Sequence, residues 1–88
     1  MLLSIVIPTK NRKVSLNRLL GSIFEQTIKN YEIIIVDQSD EKINDYKDIK
    51  KIKYFYEPDI KSLTDAKNFG IKYSAGEYIG FFDDDLLL

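Results

Sequence analysis

Two short apolar runs rich in β-branched residues, with a single amphipathic stripe between them, constrain this chain more than anything else in it. The first, Leu2-Leu3-Ser4-Ile5-Val6-Ile7, stops at Pro8, and the second, Ile33-Ile34-Ile35-Val36, closes on Asp37. Brief, near-continuous apolar runs of this kind suit strands covered on both faces, as in a parallel sheet. From Ser15, the expected N-cap, apolar residues fall at Leu16, Leu19, Leu20, Ile23 and Phe24, the i, i+3, i+4, i+7, i+8 pattern of an amphipathic helix. Strand, helix and strand in that order predict a right-handed βαβ unit and therefore an α/β fold.

The remainder extends the alternation. Residues 38–51 are polar and weakly patterned, a loop with at most a short helical turn. Ile52 to Tyr56 form a third strand, which Glu57-Pro58-Asp59 turns away. A second helix is predicted over 63–74, with Ala66, Phe69, Gly70 and Tyr73 on one face and Gly76 as the C′ residue. Tyr78 to Phe82 make a fourth strand that runs straight into Asp83-Asp84-Asp85. Tyr54, Phe55, Tyr56, Phe81 and Phe82 are expected in the core. No repeat or linker divides the chain, so the expectation is one Rossmann-like unit with a mostly parallel sheet of about four strands and two main helices.

Composition narrows the chemistry. With 88 residues, 44% of them hydrophobic, the chain has a real but small core, and a unit of this size buries only about 60 to 65% of its unfolded surface. Thirteen basic and fourteen acidic residues leave a net charge of −1, which provides no field to gather nucleic acid or an anionic membrane. The absence of cysteine and histidine excludes disulfides, thiolate nucleophiles, imidazole bases and the usual zinc sites, so a metal here is held by oxygen. The opening apolar run is too short for a signal-peptide core or a transmembrane segment, and the expected location is cytoplasmic.

In open parallel sheets ligands bind beyond the carboxyl ends of the strands. Those ends carry Pro8 to Arg12, Asp37, Glu57 and the three aspartates. Adjacent carboxylates repel one another, so Asp83-Asp84-Asp85 is either a cation site or a solvated turn; Mg²⁺ and Mn²⁺ take one or two carboxylates and complete their shells with phosphates and water. Strand alternation would aim Asp83 and Asp85 one way and Asp84 the other. Asp37 is either a turn residue or an acceptor for a base N–H. Pro8 and Thr9 either form a turn or lend backbone to a base pocket. Lys10, Arg12 and Lys67 are either solvated charges or partners of phosphate or base.

Four segments in order resemble glycosyltransferase family two: Ser4 to Arg12, Tyr31 to Asp37, Asp65 to Ile71, and Ala75 to Asp85. The resemblance covers almost the whole chain. It implies a GT-A fold and a nucleotide-sugar-binding region, residues 1–88 being the N-terminal donor-binding part of a glycosyltransferase domain that stops just after its acidic motif. It also implies Pro8, Thr9, Arg12 and Asp37 around the base, Lys67 where the family often has arginine, and Asp84 near the ribose. Asp83 and Asp85 would end a DxD motif, with Asp85 the direct ligand of a Mn²⁺ or Mg²⁺ ion that bridges the phosphates of a nucleoside-diphosphate sugar of UDP type. The family's aspartate-glycine-serine after the second strand is here Gln38-Ser39-Asp40, which predicts a differently shaped base-side loop.

By the same resemblance, the general base and the site for an acceptor saccharide or lipid-linked glycan belong to a second half, and none of these residues is catalytic. A base and a positioned acceptor contribute large rate factors, so the chain alone is expected to bind donor weakly and transfer no sugar. The longer protein would work in the cytoplasm, peripheral to the inner face of the membrane. The apolar end Leu86-Leu87-Leu88 predicts self-association. The rivals include an aspartate-nucleophile phosphatase and a receiver domain, and a receiver would carry its acidic pair after the first strand, where Pro8-Thr9 stands; a sugar nucleotidyltransferase would carry a glycine-rich basic loop there. The remaining alternatives are a non-catalytic nucleotide-binding module and an inactive fragment, and a dimer shielding the apolar end would favour the module.

Overall fold

The computed structural model describes residues 1–86. Its elements are β1 (Leu3–Thr9), α1 (Lys13–Phe24), β2 (Tyr31–Asp37), β3 (Ile52–Tyr56), α2 (Leu63–Lys72) and β4 (Tyr78–Phe81). The four strands form one sheet in the order β3-β2-β1-β4, and every pairing is parallel. The first two strands to leave the N-terminus thus occupy its centre, and β2 is buried at every position.

Alternation along the central strands divides the core between two layers. Ile5, Ile7, Ile33 and Ile35 pack with Leu16, Leu19, Leu20 and Ile23 of α1. Val6, Ile34 and Val36 face the other way and meet Ala66 of α2, with Phe55 and Phe69 against them. Continuous apolar runs are what such double coverage requires. On the second face α2 comes very close: a Cβ at Gly70 would lie 2.3 Å from a methyl of Val6.

Of the boundaries that differ from the sequence expectation, three have a clear physical reason. β1 continues through Pro8 to Thr9. A proline is tolerated there because the β1–β4 pairing ends at Val6. The Val6 carbonyl accepts from Phe82 N–H, so Pro8, two residues on, turns its missing donor toward the same side, past the end of that ladder. Helix α1 begins at Lys13 rather than after Ser15, which lies in its first turn. Asn11 redirects the chain at φ 55°, and the carbonyl of Arg12, whose side chain makes no cap, accepts from Leu16 N–H. Gly76 is not a left-handed helix stop, since α2 ends at Lys72 with Tyr73 as C-cap and no glycine has positive φ. It is small because a Cβ there would lie 2.7 Å from the backbone nitrogen of Ser4. At the other end of α2, Ser62 caps the helix by accepting from Asp65 N–H at 3.0 Å.

The core expectation for Phe81 also fails. It is 43% exposed, because β4 pairs only with β1 and no described element covers that end of the sheet. Phe82 and Tyr54 are half-buried against the α1-side core. Of the apolar end, Leu86 is exposed and Leu87 and Leu88 lie outside the described residues.

Candidate functional site

The carboxyl ends of β1, β2 and β4 meet at one edge of the sheet. Thr9, the last residue of β1, is buried, and its hydroxyl donates to Asp84 Oδ2 at 2.9 Å. Arg12 reaches the same carboxylate from the α1 side, with Nη1 3.5 Å from Asp84 Oδ1 and 3.7 Å from Asp85 Oδ2. The side chains of Arg12 and Asp85 are 57% and 64% exposed, so this bridge contributes little to stability. Its value is geometric: it keeps a cation beside two carboxylates.

The acidic triplet divides two to one, although it lies past the end of β4 in a turn closed by Leu86 N–H on the Asp83 carbonyl at 3.1 Å rather than in the strand. Asp84 is buried against Thr9, while Asp83 and Asp85 stay exposed. Facing Asp84 is an open cleft of about 350 Å³ lined by Pro8, Thr9, Lys10, Arg12, Gln38, Leu63 and Asp84. A larger groove of about 590 Å³ runs on the α1 side, sharing Thr9 and Arg12 but bounded mainly by residues 39–45. The smaller cleft is the candidate site because it alone brings the acidic motif together with the ends of β1 and β2.

Asp37 lies beneath this cleft rather than in its wall. It is fully buried, and both oxygens are engaged: Oδ1 accepts from Ser39 N–H at 2.9 Å, and Oδ2 accepts from the Tyr54 hydroxyl at 2.5 Å. The Tyr54 oxygen in turn accepts from Ile43 N–H at 2.9 Å. Burial pushes the Tyr54 hydroxyl well above its ordinary pKa, and the Asp37 carboxylate adds to the shift, so the phenol stays a proton donor. Asp37 therefore organises the β2–β3 loop. From the end of β2, the residue that lines the cleft is Gln38, whose Nε2 is fixed by donation to the carbonyls of Ile60 and Ser62 at 2.8 and 3.3 Å.

A second fastening shapes the same edge. Asn11 N–H donates to Ser39 Oγ at 2.7 Å, its side-chain amide donates to Asp40 Oδ2 at 3.3 Å, and its Oδ1 accepts from Asp40 N–H at 3.1 Å. Asparagine tolerates the left-handed backbone that this button needs. The asparagine itself was the available signal, but its partners are 28 and 29 residues away.

Lys67 is not gathered into the cleft. Its ammonium sits 5.3 Å from the centre of the Phe81 ring, on the α2 side of β4. Among the described residues no group of three or more metal-binding side chains converges. The exposed Asp83 and Asp85 are hard oxygen donors, which fits the Mg²⁺ and Mn²⁺ habit of taking few carboxylates and filling the shell from phosphate and water. No helix among the described residues is long and apolar enough to cross a membrane.

Comparison with known proteins accords with this arrangement. The chain is 39% identical over 90 residues to a GalNAc(5)-diNAcBac-PP-undecaprenol beta-1,3-glucosyltransferase of Campylobacter jejuni, covering 94% of this chain and 29% of that protein. It is 31% identical to a validoxylamine A glucosyltransferase of Streptomyces hygroscopicus, covering 98% of this chain and 22% of the relative. The chain thus spans less than a third of either one. Among solved structures, residues 1–349 of TarS from S. aureus in complex with UDP-GlcNAc match with a TM-score of 0.80 at 23% identity, over 97% of this chain and 27% of that one. The mannosyltransferase PcManGT from Pyrobaculum calidifontis, in complex with GDP-Man and Mn²⁺, matches with a TM-score of 0.81 at 19% identity, over 97% and 28%. These likenesses establish the GT-A type of α/β fold. The family profile matches residues 4–88, and the chain belongs to glycosyl transferase family 2.

Proposed function

We propose that this chain is the donor-binding part of a glycosyltransferase that takes a nucleoside-diphosphate sugar, of UDP type, together with Mn²⁺ or Mg²⁺. The observation that carries the reading is the Thr9–Asp84 hydrogen bond with Arg12 beside it, at a cleft whose far wall is Gln38. Pro8, Lys10, Gln38 and Leu63 would bound the base. Asp37 would support them from below, through Ser39 and Tyr54. Asp84, held by Thr9, has the burial and the fixed geometry to receive ribose hydroxyls. Asp85, with Asp83, is assigned to the metal. Arg12, beside Asp84 and Asp85, is assigned to phosphate, and Lys67, on the α2 side of β4, is assigned there on the family resemblance alone.

Glycosyl transfer breaks the bond between the anomeric carbon and the diphosphate and forms one to an acceptor oxygen, whose proton must pass to a base. A bound divalent ion would neutralise charge on the departing diphosphate. The present residues supply donor binding and orientation, and the base and the acceptor site are assigned to the longer protein. The name of the Campylobacter relative supports an acceptor of the lipid-linked glycan class. On that reading the full-length protein works at the cytoplasmic face of a membrane, and the isolated chain transfers no sugar.

Calorimetric titration with UDP, with and without Mn²⁺, tests the proposal on the wild-type chain and on Asp85→Ala. Binding that requires the metal, and that loses this requirement in the variant, is the expected result. A folded chain that binds no UDP under either condition, or an Asp85→Ala variant that keeps its metal dependence, would sink it.

A further inference from the structure

At the opposite end of the sheet lies a buried polar cluster that the donor reading leaves unused. Glu32 is 2% exposed on β2, and its register partner across the β1–β2 ladder is the fully buried Ser4. The Ser4 hydroxyl donates to Glu32 Oε2 at 2.5 Å, and Ala75 N–H donates to the same oxygen at 2.6 Å. Gly76 N–H donates to Ser4 Oγ at 2.8 Å, and Lys53 Nζ lies 2.7 Å from Glu32 Oε1. The Lys53 ammonium is thus a charge-assisted partner for Oε1, while Oε2 takes the bonds from Ser4 and Ala75. Residues from β1, β2, β3 and the α2–β4 corner are thereby joined, and Gly76 sits so close to Ser4 that no side chain would fit between them.

That corner feeds directly into β4, which is short, lies at the edge of the sheet and is poorly buried: Tyr78, Ile79 and Phe81 are all exposed. Register is strongly specified where one face of a strand is buried and weakly specified where none is. Within β4 itself burial does little to choose between neighbouring registers. The choice falls to the polar fastening at its start and, just past its end, to Phe82 packed on the α1-side core and to the Thr9–Asp84 bond. A slip of one residue would exchange faces along the strand and bring Asp83 or Asp85, in place of Asp84, to Thr9.

We infer that Glu32 is a positioning residue for the donor site: by holding Ser4 and the Ala75–Gly76 corner it determines which of the three aspartates faces Thr9. It acts from about 16 Å away, the rise of five strand residues between Ser4 and Thr9. The effect on ligand rests on the donor-site reading above, whereas the effect on register does not.

The test compares the wild-type chain with Glu32→Gln by NMR. It follows the nuclear Overhauser contact between Thr9 and Asp84 and the amide exchange of Tyr78 and Phe82, which donate to Leu2 and Val6 of the β1 segment. The amides of Leu19 and Leu20, inside α1, report global opening. Loss of a buried partner is expected to speed Tyr78 and Phe82 by about tenfold relative to the α1 amides, as local opening of one element does. The Thr9–Asp84 contact should weaken, and the Mn²⁺-dependent UDP affinity should fall several-fold. Equal acceleration of β4 and α1 would make Glu32 a general stabiliser only, and an unchanged Thr9–Asp84 contact would overturn the inference outright. If the wild type binds no UDP, the donor reading fails while the exchange and contact data still decide the role in register. Should Glu32→Gln not fold, Ser4→Ala carries the same test, because it cuts the link to Gly76 and leaves the carboxylate in place.

Discussion

Thr9 and Asp84 stand 75 residues apart in the chain and share a buried hydrogen bond of 2.9 Å, which joins the end of the first strand to the middle of the acidic motif. Thr9→Val keeps the shape of the side chain and removes the donor. The expected cost is about 1 to 2 kcal/mol in denaturant unfolding, since a buried acceptor loses its partner. Mn²⁺-dependent UDP binding should weaken in Thr9→Val and recover in Thr9→Ser. Equal binding by the two variants would show that Asp84 needs no fixing.

Tyr54→Phe tests Asp37 as the hub of the β2–β3 loop. It strips a donor from a buried carboxylate and an acceptor from Ile43 N–H at once. A loss of about 1 to 3 kcal/mol is expected, read as a lower urea midpoint at unchanged slope. Tyr56→Phe serves as the control. Its hydroxyl only donates to the carbonyl of Asp40 at an exposed position, so its loss should be within about 0.5 kcal/mol.

Gly76→Ala should destabilise the fold by about 1 to 3 kcal/mol, because beside the Ser4 hydroxyl the backbone of Leu3 and Ser4 is in the way and cannot rotate aside. Gly21→Ala is the opposite case. Nothing lies within 4 Å of the added methyl, and alanine suits a helix interior, so a gain of about 0.5 to 1 kcal/mol is expected. Thermal melts of the two variants should move in opposite directions.

The pH dependence of stability should carry the signature of Glu32. Burial pushes its pKa upward, but the bonds from Lys53, Ser4 and Ala75 and the Lys53 charge outweigh this and hold it below the ordinary value of 4.5. A carboxyl depressed in the folded state contributes stability that is fully present above its unfolded pKa and is lost as pH falls through the folded one. The unfolding free energy of the wild type should therefore fall as pH drops below 4.5, and this part of the fall should be missing in Glu32→Gln. Parallel profiles for the two proteins would remove Glu32 from the account.

Where a single local property decided an element, the sequence was enough. Ile5-Val6-Ile7 and Ile33 to Val36 had no alternative to central strands, and the stripe from Leu16 to Ile23 had none to a helix packed on one face. Thr9, Arg12, Asp84 and Asp85 also come together as strand-end residues should. What stayed hidden depended on neighbours distant in sequence. Pro8 reads as a stop, yet β1 runs on because β4 is short. Gly76 reads as a helix terminator, but its size answers to Ser4, and Phe81 reads as core until the sheet order puts it at an edge. Asp37 reads as a turn residue or a base acceptor at a strand end. Its burial depends on Tyr54, 17 residues further on, whose hydroxyl no local pattern reveals.

The strand order also sets the sequence in which the molecule can assemble. β1, α1 and β2 lie within the first 37 residues, and β3 joins them before residue 57, whereas the Leu3–Tyr78 pairing must close almost the whole chain. Long closures carry entropy that later contacts must repay, so contacts between near neighbours are expected first in folding and the β1–β4 ladder last, an order that φ-values in β2 and β4 would test. The nascent sheet is then a three-stranded platform without an acidic motif, with the open edge of β1 awaiting β4. On the proposed reading, nucleotide and metal would meet only a chain that has finished folding, and a ligand at Asp84 and Asp85 would also hold the final strand in place.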